Sequence, residues 1–172
     1  TFTNKAAREM RGRVEKKSSL APLTHIATFH SACARFLREF AQHLGFTADF
    51  TIYDDKDCLQ VIKTVLKDLN ICTQESSPRE YIYGIQKAKT WNWFVGDVNN
   101  NYEHYESSFP DFFPKVYARY QQYLAQCNAM DFSDLLMHCV QLLRTSKEVR
   151  TTLQSRYKYV MVDEYQDTNP TQ

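Results

Sequence analysis

The chain has 172 residues, 43% of them hydrophobic, 14% aromatic and 24% charged, which is enough apolar side chain to build a core and excludes a disordered, polar chain. No apolar run approaches the ~18 residues that a bilayer-spanning helix needs. The basic start has no apolar stretch behind it and so does not read as a secretory signal, which makes a soluble, cytoplasmic protein with no membrane partner the expectation.

In chain order, Ala6, Met10 and Val14 form an apolar stripe that predicts a helix from about Lys5 to Lys17. "LTHIAT" reads as a short strand. The helix after it, over about 31–44, has Cys33, Phe36 or Leu37, Phe40 and Leu44 on its inner face. "FTIYD" reads as extended, with Asp54 as the N-cap of a helix lined by Leu59, Ile62, Leu66 and Leu69. Ser77, Pro78 and Glu80 spell a capping box with proline at the first helical position. The polar tract "VGDVNNNYEHYESS" reads as a loop. Phe113, Val116, Tyr120 and Leu124 then mark a helix in which the tyrosines pack inward. Asp131 caps "FSDLLMHCVQLL", with Asp134 three residues on, and a last short helix precedes "YKYVMVDE". The continuous apolar run "YVMV" there fits a strand buried on both faces of a parallel sheet.

These elements give a mainly α chain with a few parallel strands. It reads as pieces of an α/β domain, residues 1–48 and 131–172, carrying an all-helical insertion over 49–130. Net charge is +1 overall, but residues 1–43 hold eight Lys/Arg against three Asp/Glu, which points to a polyanion partner for that end. The five cysteines are scattered without a CxxC pair and read as packed free thiols. His138 and Cys139 lie on different faces of one helix, so they do not read as a zinc site.

The chemistry-bearing residues lie at the end and at the beginning. Asp163 and Glu164 follow the apolar run, and ligands of parallel sheets bind beyond the carboxyl ends of the strands. One carboxylate there can hold hydrated Mg²⁺, and its neighbour can orient or deprotonate an attacking water. Acids at a strand end can also simply cap the following turn. The whole block "DEYQDTN" resembles motif II of superfamily 1 helicases, specifically of the UvrD/Rep/PcrA group. "TFTNKAAREMRGRV" at 1–14 is similar to motif Ia of that group, and "ATFHSACARFLR" at 27–38 to motif Ib. "MDFSDLL" at 130–136 is similar to the family's MDFDDLL, with Ser133 as a departure.

The resemblance implies a partial RecA-like domain of the P-loop NTPase type. Residues 1–48 would be part of domain 1A, 49–130 the helical domain 1B, and 131–172 the return to 1A. The parent would be an ATP-dependent helicase that moves 3′ to 5′ on single-stranded DNA with ATP and Mg²⁺. In it Asp163 would bind Mg²⁺ through water, Glu164 would be the general base, and Gln166 would sense the γ-phosphate. Phe2 would stack on a base, and Thr3, Asn4 and Lys5 would contact the DNA backbone. Thr28, Phe29, His30 and Ser31 would sit at a turn that meets DNA, Phe29 stacking or packing, with Arg35 as a further phosphate contact. Arg8, Arg11 and Arg13 read as surface residues.

The family's phosphate loop lies upstream of motif Ia and its domains 2A and 2B downstream. No glycine-rich phosphate loop occurs in these 172 residues, so the chain alone is expected to bind no ATP or Mg²⁺ and to lack ATPase activity, with the rest of a longer helicase chain as its partner. Two alternatives stand beside this: a stand-alone, non-catalytic module that binds single-stranded DNA or protein, and a segment of a RecB/AddA-type helicase–nuclease. "TFHSA" and "DEYQDTN" favour the simpler helicase over the latter.

Overall fold

The computed structural model describes residues 1–72, 76–105 and 108–172. Helix α1 spans Asn4–Lys17 and α2 spans Phe29–Phe40, with a 3₁₀ turn at Ala41–Leu44. Strand β1 (Thr51–Tyr53) leads into α3 (Asp55–Asp68) and α4 (Pro78–Thr90). Then come α5 (Val95–Tyr105), α6 (Phe113–Gln126), β2 (Ala129–Asp131), α7 (Phe132–Thr145) and α8 (Lys147–Arg156).

Local chemistry fixes most of the boundaries. The Asp54 carboxylate accepts from the amides of Lys56 and Asp57, while Asp57 accepts from the Asp54 amide, so α3 begins with a complete capping box. At α4 the Glu80 carboxylate accepts from the Ser77 amide at 3.0 Å, and Pro78 takes the first helical position. The 3₁₀ turn after α2 ends on Gly45 at φ 81°, a left-handed geometry that glycine adopts without a Cβ clash.

Strands β1 and β2 pair in parallel, Thr51 opposite Ala129 and Tyr53 opposite Asp131, so the chain leaves for its helical excursion and returns at the same place. Two cores meet at this pair. The first gathers α3, α4, α5 and α6 around Ile62, Val65, Tyr81, Phe113, Tyr117 and Tyr120, and includes Ala129. The second gathers Leu37, Phe50, Leu135, Leu142 and Val149 of α2, α7, α8 and their neighbours, and includes Met130. Successive strand side chains point to opposite faces, and β2 uses this to close one core with Ala129 and the other with Met130. A fully enclosed side chain such as Leu37 contributes roughly 1.5–3 kcal/mol.

Three expectations are corrected. "VGDVNNNYEHYESS" is helical over Val95–Tyr105, while residues 106–107 lie outside the described residues. Its Val95, Val98 and Tyr102 recur at i, i+3 and i+7, Val98 is buried, and Asp97 accepts from the Phe94 amide to start the helix. "LTHIAT" forms no strand; Ala21–Leu23 is a 3₁₀ turn, and residues 24–28 run without strand pairing. Neither is "YKYVMVDE" a buried strand. Tyr159, Val160 and Met161 are 92%, 77% and 92% exposed, and among the described residues no strand pairs with them. An apolar run becomes a strand only where a ladder partner takes its amides and carbonyls.

Cys58 and Cys139 are buried and Cys33 partly so, but Cys72 and Cys127 are exposed; all five are free thiols. Among the described residues no group of His, Cys, Asp or Glu is arranged to hold a metal ion, and no helix is long and apolar enough to cross a membrane.

Candidate nucleic-acid interface and acid segment

Helices α1 and α2 each begin on a threonine. The Thr3 hydroxyl accepts from the Ala6 amide at 3.1 Å, and the Thr28 hydroxyl accepts from the Ser31 amide at 3.2 Å. Thr28 also donates to the Ser31 hydroxyl at 2.9 Å. Each cap satisfies one amide of its first turn, and the amides of Asn4 and Lys5 in α1 and of His30 in α2 have no partner inside their helices.

The two helix starts are neighbours. The Thr1 amine donates to the Ala27 carbonyl and the Phe29 amide to the Thr1 carbonyl, both at 3.3 Å. The Phe2 and Phe29 rings lie 5.5 Å apart at a tilt of 57°, and both are half-buried. Arg11 is exposed, as expected of a surface residue, and also joins this framework. Its guanidinium donates to the Ile26 carbonyl at 2.8 Å and ties α1 to the segment ahead of α2.

The expected contact residues therefore fall together: Phe2, Thr3, Asn4 and Lys5 at the start of α1, and Thr28, Phe29, His30 and Ser31 at the start of α2. Lys5 is exposed, with Glu9 at 4.0 Å. Arg35 is exposed on α2 and stands near His25. Two adjacent helix N-termini, with Lys5 in the first turn of one of them, favour an anion.

One ring escaped sequence reasoning. Phe132, the first residue of α7, stacks on His30 with centroids 3.9 Å apart and planes 18° from parallel, and is itself 57% exposed. The sequence offers only a phenylalanine just after the capping residue Asp131, which does not reveal its stack on His30. Burial lowers the pKa of His30, so its imidazole favours the neutral form. His25 is lowered as well, by burial first and then by the Arg35 and Arg11 charges. Its Nδ1 lies 3.2 Å from the Tyr157 hydroxyl.

The acid segment is separate in character. Asp163, Glu164 and Gln166 are all exposed, at a 3₁₀ turn over Tyr165–Asp167. Glu164 adopts a left-handed backbone, φ 52° and ψ 44°, which costs a non-glycine residue roughly 1–2 kcal/mol. Its carboxylate accepts from the Gln166 amide at 2.5 Å. Beyond the turn, buried Thr171 donates its hydroxyl to the carbonyls of Lys89 and Thr90 at 3.0 and 2.9 Å, fastening the segment to the end of α4.

Comparison with known proteins gives concordant matches. The family model for the UvrD/REP helicase N-terminal domain matches residues 1–172. An ATP-dependent DNA helicase PcrA of Staphylococcus aureus (strain Mu50) is 40% identical over 173 residues, covering 100% of this chain and 23% of the relative. That of Staphylococcus epidermidis (strain ATCC 12228) is 39% identical over the same span. The chain thus spans about a quarter of the length of the curated relatives it matches.

Proposed function

The chain belongs to the UvrD/REP helicase N-terminal domain family, and from that premise we propose that it is a segment of an ATP-dependent DNA helicase moving 3′ to 5′ on single-stranded DNA. The observation that carries the DNA role is the pairing of two threonine-capped helix starts beneath the rings of Phe2, Phe29, His30 and Phe132. Single strands are held by cations along the backbone and by aromatic faces under the bases. Lys5 and Arg35 supply charge, the free first-turn amides of α1 and α2 can donate to phosphate oxygens, and Phe2 and Phe132 offer ring faces. Asn4 and Ser31 add donors to the same edge.

In domain terms, residues 1–48 and 131–172 belong to the RecA-like domain 1A and residues 49–130 to the helical domain 1B. The β1–β2 pair supports this division, because the excursion starts and ends there. The exposed run Tyr159–Met161 is consistent with it too, as apolar surface that the rest of such a domain would cover.

The donor chemistry at the acid segment fits magnesium, a hard cation that keeps several waters and takes one or two carboxylates. Asp163 would hold it through water, and the ion, when bound, would neutralise charge on the transferred phosphate. Glu164 is free to accept a proton from water, and the Gln166 amide at 2.5 Å orients its carboxylate. The exposure of Asp163, Glu164 and Gln166 leaves them open to a nucleotide held by another part of a longer chain. By itself the chain then binds DNA without hydrolysing ATP.

Fluorescence titration of a short oligothymidylate at several salt concentrations tests the DNA role. Log affinity should fall linearly with log salt, and Lys5→Ala should flatten the slope by about 0.7. Affinity indifferent to salt would overturn the proposal.

A further inference from the structure

Lys89 stands in the last turn of α4, where a lysine ordinarily points to solvent, yet its ammonium is fully enclosed. It lies 2.6 Å from Asp131 Oδ2 and 2.6 Å from Asp134 Oδ1. The Tyr120 hydroxyl donates to the same Asp131 oxygen at 3.0 Å, and the Gln121 amide to the same Asp134 oxygen at 3.1 Å. His138 Nε2 is 3.8 Å from that Asp134 oxygen.

The remaining oxygens of the two carboxylates start α7. Asp131 Oδ1 accepts from the Asp134 amide at 2.8 Å, and Asp134 Oδ2 accepts from the Asp131 amide at 3.0 Å. Each carboxylate therefore has one oxygen on the capping box and the other on Lys89. Phe132 sits inside this box, between the two aspartates, with its ring on His30. A buried ion cluster is weak evidence of stability, since apolar residues of similar volume often serve as well. What it supplies here is direction: an ammonium and two carboxylates at 2.6 Å admit one placement of the α7 start relative to α4.

We infer that Lys89 is a positioning residue of the nucleic-acid face, holding the α7 capping box so that the Phe132 ring stays over His30 and open to a base. This rests on the reading of that face as a single-stranded DNA groove. Because Thr171 is bound to the backbone carbonyls of Lys89 and Thr90, the chain that follows the acid segment is anchored to the same turn of α4.

The test is a double-mutant cycle in the full-length protein, using an oligothymidylate that carries one 2-aminopurine. Phe132→Ala removes a stacking ring and should weaken binding on the order of tenfold, with loss of 2-aminopurine quenching and no change in salt slope. Lys89→Met should give a loss of similar size, also without a change in slope. The variant carrying both should bind no more weakly than Phe132→Ala alone. A merely structural lysine would give losses that multiply and a lowered active fraction with normal quenching. If Lys89→Met does not fold, Lys89→Met/Asp134→Asn removes one charge of each sign and takes its place in the cycle. Multiplying losses, or unaltered binding by a folded Lys89 variant, would overturn the inference and leave the DNA face intact. An indifferent Phe132→Ala would overturn both the inference and the role given to that ring.

Discussion

Gly84 lies midway along α4, where helix propensity and packing pull in opposite directions. Replacing a helix-interior glycine with alanine gains about 1 kcal/mol. A Cβ at Gly84, however, would stand 2.8 Å from Cε2 of Phe113 and 3.3 Å from Cδ1 of Phe109. Phe113 cannot step aside cheaply. It is fully buried, stacked on Phe109 at 4.4 Å and on Tyr117 at 5.8 Å. Overpacking of this kind costs roughly 1–3 kcal/mol, so Gly84→Ala forfeits the propensity gain and ends between about neutral and a loss of about 2 kcal/mol. For a chain of this size that leaves Tm unchanged or lowers it by up to about 8 °C. Gly12 in α1 is the control: nothing lies within 4 Å of its Cβ position, so Gly12→Ala should raise Tm by about 2–4 °C. Thermal unfolding followed by circular dichroism, with two wavelengths to check two-state behaviour, compares the pair. If Gly84→Ala stabilises as Gly12→Ala does, the close approach of α4 and α6 is wrong.

Asp134→Ala leaves the Lys89 ammonium short of a partner in an enclosed site, and should cost about 3–5 kcal/mol in urea unfolding. His30 and His25, both lowered by burial, should titrate below 6.5 in a proton NMR titration. The sign follows: a depressed histidine pKa means the unfolded chain binds more protons, so their contribution is full above pH ~6.5 and is lost as pH falls through the folded values. In the full-length helicase, Glu164→Gln should lower the ATPase rate on the order of 10²-fold or more while leaving oligothymidylate affinity within about twofold, read by a coupled ATPase assay and by anisotropy.

Much of this architecture is legible in the sequence because its signals are local. The capping residues Asp54, Ser77 and Asp131 announce their helices, and the stripe Phe113, Val116, Tyr120, Leu124 announces the inner face of α6. What misled was non-local. "YVMV" has the composition of a central strand, but a strand exists only against a neighbour. The run of three asparagines in α5 reads as loop until buried Val98 shows the helical stripe. β2 is only three residues long and its last residue, Asp131, is also the cap of α7. Nothing local marks Lys89, whose carboxylate partners stand 42 and 45 residues away. At the candidate interface, the motif residues at 2–5 and 28–31 are neighbours, a proximity their spacing along the chain does not announce, and Phe132 joins them through its stack on His30.

The central claim is that the starts of α1 and α2, with Phe132, form one surface for single-stranded DNA. The most direct test is a two-dimensional amide NMR titration of this chain with an oligothymidylate. The predicted result is a contiguous set of shifted amides at residues 3–6, 28–32 and 132–133, with the shifts weakening as salt rises. Shifts centred on α8, or none at micromolar to millimolar DNA, would contradict the account.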